Sequence, residues 1–328
     1  MGLRSRIIGT GSYLPEKVLS NHDLESMLDT SDEWIRTRTG MSERRVAADD
    51  ETSSTMGVEA ARRALKDAGV KAKELDLILV ATGTPDMLFP STACIIQKEI
   101  GAVKAVGFDI SAACSGFIYA LSVADQYIKT GMYKKILVVG TDLLTRFLDW
   151  TDRSSCILFG DGAGAVILSA EDNGDKGILS THIYSDGTYG GHLYLKGGGS
   201  SGRLSHEAID SKENLLKMQG NATFKIAIRK MVEVVGEALA ANGKVISDVD
   251  ILVPHQANMR IIKAVGEGIG LPPEKVFVNI EKYGNTMAAT IPIALDEAVK
   301  EGRLNRDDLL LLVAFGGGMT WGSALVSW

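Results

Sequence analysis

Three short stretches of this chain hold side chains that could act together on an activated carbonyl group. They are the stretch around Cys114, the stretch 254–258 (PHQAN) with His255, and the stretch 283–286 (YGNT) with Asn285. A deprotonated cysteine is a nucleophile, while an imidazole and a carboxamide can donate hydrogen bonds to charge that forms on a carbonyl oxygen. The set therefore suits covalent acyl transfer with a stabilised oxyanion or enolate.

Cys114 follows a short apolar strand, 105–110, and a turn of small residues, and it precedes a helix in which Phe117 and Leu121 share one face. Unpaired N–H groups and the positive end of the helix dipole lie at a helix start and favour a thiolate. We therefore expect the pKa of Cys114 to lie below its free value of about 8.5. The alternative is that Cys114 packs as a small buried core residue.

The other candidate residues also have structural interpretations. His255 could be a hydrogen-bonded histidine at a strand end, and Asn285, after Gly284, could be a turn residue. The stretch 315–322 (FGGGMTWG) either makes a turn or brings its backbone N–H groups close to a ligand, because glycine allows a close approach. The functional interpretation is an oxyanion hole built from backbone N–H groups of Cys114 and of this loop. It is not a phosphate loop of the GxxxxGK[ST] type.

The elements that must position these residues recur along the chain. Four apolar segments of the first half have counterparts in the second half, three of them about 170–175 residues later and the fourth about 160 residues later. The pairs are 75–81 with 249–253, 105–110 with 276–280, 135–139 with 309–314, and 162–166 with 322–326. The repeat predicts an α/β protein of two halves, with helices between and around two mostly parallel sheets. The alternative is that any α/β protein has apolar strands of this kind.

The proposed halves are 1–172, which carries the cysteine, and 173–328, which carries the histidine and the asparagine. Because ligands meet α/β chains at strand ends, we expect the three reactive loops to lie close together between the halves. Helical patterns with capping residues surround the strands. The predicted helices are 21–27 and 31–38 with Asn21 and Ser31 as N-caps, 52–68 closed by Gly69, 91–100, one ending at 129, and 221–241.

The composition excludes several classes of protein. The 328 residues carry a net charge of −6 and are 45% hydrophobic, which suits a large core and argues against a general nucleic-acid binder. The longest apolar run, 309–315, is far too short to cross a membrane, and the N-terminus predicts no signal peptide. The three cysteines form no CxxC pair, so we expect reduced thiols in a cytoplasmic protein rather than disulfides or a zinc site.

Several of these stretches together carry a resemblance to a known family. The chain resembles the β-ketoacyl-acyl-carrier-protein synthase III enzymes of the thiolase-like superfamily along its full length. The matching stretches are 7–16 (IIGTGSYLPE), 31–40 (SDEWIRTRTG), 112–117 (AACSGF), 159–165 (FGDGAGA), 254–258 (PHQAN), 283–286 (YGNT) and 315–324 (FGGGMTWGSA). The resemblance implies a five-layered α-β-α-β-α fold and a homodimer, with no metal and no cofactor.

The resemblance also implies a two-stage reaction. Cys114 accepts an acyl group from acyl-CoA, acetyl-CoA first among the candidates, with the N–H groups of Cys114 and Gly317 as the oxyanion hole. Malonyl-acyl-carrier protein then loses CO₂, and His255 and Asn285 hold the resulting enolate. Attack on the acyl group gives 3-oxoacyl-carrier protein, the step that initiates fatty acid biosynthesis.

Three groups of binding residues follow from the same resemblance. The coenzyme A group contains Thr30, Trp34, Arg38 and Arg153 around the adenine, and Gly220, Asn221, Phe224, Ala257 and Asn258 along the pantetheine tunnel. The acyl-pocket group contains Leu158, Phe159, Phe315 and, from across the dimer, Phe89. The carrier-protein group contains Gln256, Ala257, Asn258, Met259, Arg260 and Lys263, with Lys225 and Arg229 extending a basic face. Trp34 and the cations could equally be a surface anchor and solvated charges.

Two other functions remain open from the sequence. One is a related acyltransferase or condensing enzyme of a secondary pathway, and the other is a non-catalytic acyl-CoA-binding protein, which would not need a thiol at a helix start. The stretch 189–206, rich in Gly and Ser and with two histidines, is interpreted as a surface loop rather than a metal site. The length and branching of the acyl primer are left open.

Overall fold

The computed structural model describes residues 2–172 and 176–328. The first sheet has five strands: β1 Leu3–Tyr13, β4 Leu77–Ala81, β5 Val106–Ile110, β6 Lys135–Asp142 and β7 Gly162–Asp172. The second has four: β8 Gly177–Ser185, β11 Ile251–Pro254, β12 Leu309–Gly316 and β13 Thr320–Ser327. Two small two-stranded sheets complete the strands: β2 Lys17–Ser20 with β3 Glu43–Val46, and β9 Leu193–Tyr194 with β10 Lys217–Met218.

Helices enclose the sheets and separate them. They are α1 Asn21–Glu25, α2 Asp32–Thr39, α3 Ser53–Ala68, α4 Thr92–Ile100, α5 Gly116–Lys129, α6 Arg153–Cys156, α7 His206–Asp210, α8 Gly220–Ala241, α9 Met259–Ile269, α10 Ile280–Tyr283 and α11 Thr290–Lys300. Helices α3 and α4 cover the outer face of the first sheet, α8 and α9 cover that of the second, and α5 and α11 pack between the sheets. The result is the predicted α-β-α-β-α order of five layers.

The predicted strands form because their apolar runs are buried on both faces. Every residue of β4 and of β12 is buried, as expected for strands covered by helices on each side. Helix α3 begins after its N-cap Thr52 and ends at Gly69, whose φ of 64° fits a left-handed cap. The predicted N-cap Asn21 is wrong, because Ser20 caps α1 and the side chain of Asn21 is buried, donating to the Met41 carbonyl.

The internal repeat extends to the buried helices. Asp125 in α5 and Asp296 in α11 are both buried, and each pairs with a lysine four residues later at 2.6 Å. Each carboxylate also accepts a hydroxyl from β1, Ser5 for Asp125 and Thr10 for Asp296. The two central helices are therefore fixed to the same strand by equivalent polar contacts.

Two predictions about the sheets are wrong. The sheets are mixed rather than mostly parallel, since β7 and β13 each run antiparallel to both of their neighbours. The segment 276–280 is not a strand and makes one parallel bridge, between Leu252 and Val276. The reason is a contact with a distant residue: the side-chain amide of Gln256 bonds the carbonyl of Phe277 and the N–H of Asn279, so these groups do not join the sheet.

The two central helices position the site. Each follows a 3-10 turn, Ala113–Ser115 before α5 and Met287–Ala289 before α11, and these turns are in contact. Both turns start with a left-handed residue, Ala113 at φ 45° and Met287 at φ 50°, a conformation that costs of order 1–3 kcal/mol outside glycine. The boundary between 172 and 173 stays a prediction, because residues 173–175 lie outside the described part of the chain.

Candidate active site

The first component of the site is Cys114, in the turn before α5. Its side chain is 4% exposed. The hydroxyl of Ser115 donates to the Thr320 carbonyl and that of Thr320 to the Ala112 carbonyl, each at 2.9 Å. Opposite the cysteine, a Cβ on Gly316 would lie 2.7 Å from the Cys114 nitrogen, so only glycine fits there. The glycine loop therefore packs directly against the backbone of the cysteine.

The second component is His255, which follows β11 directly. Its backbone N–H donates to the Val313 carbonyl at 2.8 Å, and its Nδ1 lies 2.7 Å from the hydroxyl oxygen of Thr290. The imidazole is buried, and burial lowers the pKa of His255 to about 3 because the charged ring loses its hydration. The ring is therefore neutral at any working pH and has one N–H to donate.

The third component is Asn285, which follows the left-handed Gly284. Its backbone is paired on both sides with the segment 158–160, by its N–H to the Leu158 carbonyl and its carbonyl to the Gly160 N–H. Its side-chain oxygen accepts the Met287 N–H at 2.9 Å. The carboxamide oxygen is therefore engaged, which leaves the NH₂ group as the part that can bind a ligand.

The structure brings the three predicted residues to one cavity. Cys114, His255 and Asn285 all line a cavity of about 120 Å³. Its other walls are apolar, apart from Thr223 and Asn258. A nucleophile and two hydrogen-bond donors thus share one small, largely apolar space, as covalent acyl transfer requires.

The predicted fall in the pKa of Cys114 is wrong. Burial raises the pKa of the thiol to about 12, and the nearby Asp142 carboxylate adds to the rise. Loss of hydration therefore outweighs the backbone donors at the helix start. The sequence did not indicate Asp142 as part of the site. Its side chain is fully buried and accepts the N–H groups of Gly83 and Ala288. Burial raises the pKa of its carboxyl group to about 7.

The raised pKa predicts a specific pH dependence of thiol alkylation. The fraction of thiolate in the resting protein is small, so we expect the rate of Cys114 alkylation by iodoacetamide to rise about tenfold per pH unit from pH 7 to pH 10. Peptide mass spectrometry after timed alkylation measures this rate for Cys114 alone. A plateau near pH 8 would show that the helix start, rather than burial, sets the pKa of the thiol.

A second cavity, of about 190 Å³, adjoins the other side of Cys114. Phe159 and Gly317 line it as predicted neighbours of the cysteine, but most of its walls were missed. Those walls are Gly83, Ser111, Ala113, Leu144, Leu193, Tyr194, Leu195, Leu216 and Met287. The stretch 189–206, interpreted as a surface loop, supplies three of these side chains and pairs as β9 with β10. The apolar triplet LYL at 193–195 is the signal in the sequence that could have indicated a buried role for this stretch.

The structure places three of the four predicted acyl-pocket residues at one cavity and the fourth at the surface. Leu158, Phe159 and Phe315 line the cavity that contains His255 and Asn285. Phe89 is 83% exposed and lines neither cavity within this chain. Neither His255 nor Asn285 lines the second cavity, whose walls are largely apolar.

The predicted adenine site has its aromatic and cationic side chains together at the surface. The guanidinium carbon of Arg153 lies 4.7 Å from the ring centre of Trp34, and that of Arg38 lies 5.8 Å from it. Arg153 also donates to the Asp29 carbonyl. The hydroxyl of Thr30 has no hydrogen-bond partner in the described part of the chain. The arrangement offers a cationic, aromatic platform of the kind that binds a nucleotide.

Four of the five predicted tunnel residues lie at the cavity that contains Cys114. Gly220, Phe224, Ala257 and Asn258 line the first cavity. The backbone of Asn221 lies in α8, but its side chain is outside the described part of the structure. The first cavity is therefore bordered by the start of α8 and by the loop before α9.

The predicted carrier-protein residues differ in exposure: Arg260 and Lys263 are exposed, Ala257, Asn258 and Met259 are half-buried, and Gln256 is buried. Gln256 is buried, with its amide bonded to three backbone groups, so its predicted place on a partner-binding surface is wrong. Asn258 is the N-cap of α9, and Met259 packs against Gly40. The cations Arg260, Lys263, Lys225 and Arg229 are exposed on α9 and α8, and Arg260 lies over the ring of Phe224 at 5.2 Å.

Within 2–172 and 176–328 there is no cluster of three or more His, Cys, Asp or Glu side chains that could hold a metal ion. None of the helices described is long and apolar enough to span a membrane.

The fold is thiolase-like, as its five layers and its structural neighbours show. The model of a family described as 3-oxoacyl-[acyl-carrier-protein (ACP)] synthase III matches residues 108–187, and the model of its C-terminal part matches 239–328. The beta-ketoacyl-[acyl-carrier-protein] synthase III of Alkalilimnicola ehrlichii is 54% identical over 323 residues, 98% of each chain. The chain belongs to the 3-oxoacyl-[acyl-carrier-protein] synthase III family.

Two solved structures extend the comparison. The crystal structure of 3-oxoacyl-[acyl-carrier-protein] synthase III from Aquifex aeolicus is 49% identical, with a TM-score of 0.92 over 99% of this chain and 100% of that chain. The priming β-ketosynthase from the R1128 polyketide biosynthetic pathway is 38% identical, with a TM-score of 0.92 over 98% of this chain and 96% of that chain. Relatives of the same architecture therefore include an enzyme that primes a different pathway.

Proposed function

We propose that this protein is a 3-oxoacyl-[acyl-carrier-protein] synthase III, which loads an acyl group from acyl-CoA onto Cys114 and condenses it with malonyl-acyl-carrier protein. The observation that carries the proposal is the shared cavity of Cys114, His255 and Asn285. Family membership supports the reaction, and the geometry supports the assignment of the three roles.

In the first half-reaction the sulfur of Cys114 attacks the thioester carbonyl of acyl-CoA. The Sγ–C bond forms, the bond from the carbonyl carbon to the CoA sulfur breaks, and the thiol proton ends on the released CoA. A neutral resting thiol fits this exchange, because the proton is transferred only as the leaving thiolate develops. The N–H groups of Cys114 and Gly317 are the proposed donors to the transient oxyanion.

In the second half-reaction malonyl-acyl-carrier protein replaces CoA in the same cavity. Loss of CO₂ leaves an enolate, and the Asn285 NH₂ and one N–H of His255 donate to its oxygen. The enolate carbon attacks the acyl carbonyl, the C–S bond to Cys114 breaks, and the thiolate recovers a proton from water. Both donors are held by the protein before charge develops, so no reorganisation opposes the reaction.

Intact-mass analysis tests the proposal directly. Incubation with acetyl-CoA should add one acetyl group, mapped by peptide analysis to Cys114, and later addition of malonyl-acyl-carrier protein should remove it with release of CO₂. Binding of acyl-CoA without a covalent adduct would favour a non-catalytic binding protein instead. A panel of longer and branched acyl-CoAs would report the size of the second cavity.

A second candidate function is priming of a polyketide or another secondary pathway. The structural similarity to the R1128 priming β-ketosynthase favours it specifically. The chemistry at Cys114 would be the same, and the carrier protein and primer would differ. Comparing condensation rates with the fatty-acid carrier protein and with a polyketide carrier protein separates the two functions.

We propose that the adenine of CoA binds at the platform of Trp34 and Arg153. Removing the indole face should weaken acyl-CoA binding, so Trp34→Ala should raise KM for acyl-CoA by about tenfold. The kcat for decarboxylation of malonyl-carrier protein should stay within about twofold of the wild-type value. Steady-state kinetics with each substrate varied in turn measures both values. An equal loss in the two half-reactions would mean that Trp34 supports the fold rather than CoA.

We propose a homodimer that pairs the exposed edge of the first sheet. Strand β5 is an edge strand, Val106 on it is exposed, and the neighbouring segment exposes the large apolar side chains Met87, Leu88 and Phe89. An apolar edge of this kind is covered in a stable protein. Sedimentation should give twice the chain mass, and Leu88→Asp with Val106→Asp should shift it toward one chain, whereas a monomeric wild type would end the proposal.

We also propose that the exposed cations of α8 and α9 dock the acidic carrier protein. Arg260 lies over the ring of Phe224, which lines the cavity. A local basic face can attract an acidic partner even though the chain carries net negative charge.

A further inference from the structure

The peptide groups of Met287 connect the two proposed donors of the second half-reaction. The Met287 N–H donates to the side-chain oxygen of Asn285 at 2.9 Å. The Met287 carbonyl lies 3.0 Å from the hydroxyl oxygen of Thr290, which lies 2.7 Å from Nδ1 of His255. Thr290 is buried at the first residue of α11. It is therefore the direct hydrogen-bond neighbour of the catalytic imidazole, although the sequence motifs did not indicate it.

The hydroxyl hydrogen of Thr290 has two acceptors within reach. The Met287 carbonyl already accepts the backbone N–H of Thr290, so it is satisfied without the hydroxyl. Nδ1 of His255 is closer, at 2.7 Å against 3.0 Å. An imidazole nitrogen without a hydrogen is also the stronger acceptor of the two. The shorter distance and the already satisfied carbonyl favour donation of the hydroxyl to Nδ1, which would place the single ring hydrogen on Nε2.

We propose that Thr290 is a positioning residue that sets the tautomer of His255, keeping the hydrogen on Nε2 where it can reach the substrate oxygen. The inference rests on the proposed function, because it assigns how His255 becomes a donor in the condensation. Held by Thr290 at Nδ1, the ring turns Nε2 toward the cavity that it lines. The opposite tautomer would present a lone pair to the enolate oxygen, which repels it.

The fixed tautomer has a consequence for the first half-reaction. With a hydrogen on Nε2 and a neutral ring, His255 has no lone pair on the cavity side to remove the Cys114 proton. Acyl loading therefore proceeds by direct proton loss from the thiol to the departing CoA sulfur or to water. Thr290 should matter more for decarboxylation than for acyl loading.

Side-chain NMR tests the tautomer without any substrate. Long-range ¹H–¹⁵N correlation spectra of the chain, which has five histidines, separate a protonated from an unprotonated ring nitrogen. The signals missing from His255→Gln identify His255. We expect Nε2 protonated and Nδ1 unprotonated and hydrogen-bonded, and a protonated Nδ1 would overturn the inference. This result stands whether or not Cys114 becomes acylated, so failure of the proposed function would be recognised separately.

Kinetics of two variants test the consequence. Thr290→Val keeps the shape and removes the hydroxyl, and should lower the rate of malonyl decarboxylation by about tenfold, several times more than it lowers acyl loading. Thr290→Ser restores the donor and should recover most of the rate. The matched control is Thr141→Val, which removes a buried hydroxyl bonded to the Ser53 carbonyl on the far side of the first sheet. Equal losses in both half-reactions, or no recovery with serine, would contradict the inference.

Discussion

Cys114→Ser should form no detectable acyl-enzyme and should lower the rate of condensation by at least about 10³-fold. The serine hydroxyl has nearly the same shape, but its pKa is far higher than that of a thiol. The imidazole of His255 is too weak a base to activate it, because burial lowers the pKa of its ring to about 3. The nucleophile, rather than the shape of the pocket, is what the substitution removes.

The matched control for this prediction is another cysteine of the same chain. Cys94 is half-buried in α4, and its sulfur contacts the Gly107 carbonyl at 3.7 Å, away from both cavities. Cys94→Ser should load acetyl at the wild-type rate, as measured by intact mass after seconds to minutes with acetyl-CoA. Acyl loading or full condensation by Cys114→Ser would show that a different group carries the acyl chain.

The central features of the fold were predictable because they depend on local apolar patterns. The runs at 77–81 and 309–316 are buried strands, and the helix from Ser53 to Ala68 ends at its predicted cap, Gly69. The three reactive loops also meet at one cavity, as the repeat predicted. Strand ends and caps are encoded in a few adjacent residues, and so they can be read from the sequence.

Features that depend on distant contacts could not be predicted in this way. Whether 276–280 joins the sheet is decided by the amide of Gln256, which bonds Phe277 and Asn279 across about twenty residues. The pKa of Cys114 follows from burial beneath the glycine loop and from Asp142, which no local pattern places beside it. The second cavity depends on Leu193 and Leu216, whose segments pair only in the folded chain.

The difference between local patterns and distant contacts also explains why the sequence did not indicate Thr290. Its position at the start of α11 matches no motif for catalysis, since a threonine there is an ordinary helix-start residue. Its importance comes from the left-handed turn at Met287, which folds the chain back so that the hydroxyl reaches His255. A strained turn next to a site is a structural signal, and it becomes visible only when φ is known.

Asn285→Asp should retain acyl loading of Cys114 and lower malonyl decarboxylation by about 10²–10³-fold, a loss typical for one oxyanion donor. The aspartate keeps an oxygen for the Met287 N–H, so the loop can hold its shape. Its second oxygen, however, replaces the NH₂ group and places negative charge where the enolate oxygen must form. The substitution therefore reverses the electrostatics of the site at nearly constant volume.

His255→Ala should give a loss of the same order by removing the other donor, again with acyl loading retained. Acetylated protein, prepared first and freed of CoA, is mixed with radiolabelled malonyl-acyl-carrier protein, and CO₂ release is followed in parallel with the mass of the acyl-enzyme. Both variants should remain acetylated while the wild type is discharged. Because the two donors bind one oxygen, loss of either should leave the enolate poorly held, and the double variant should lose less than the product of the single effects. Normal CO₂ release by either single variant would remove that residue from the condensation step, and loss of acyl loading in both would place them in the first half-reaction instead.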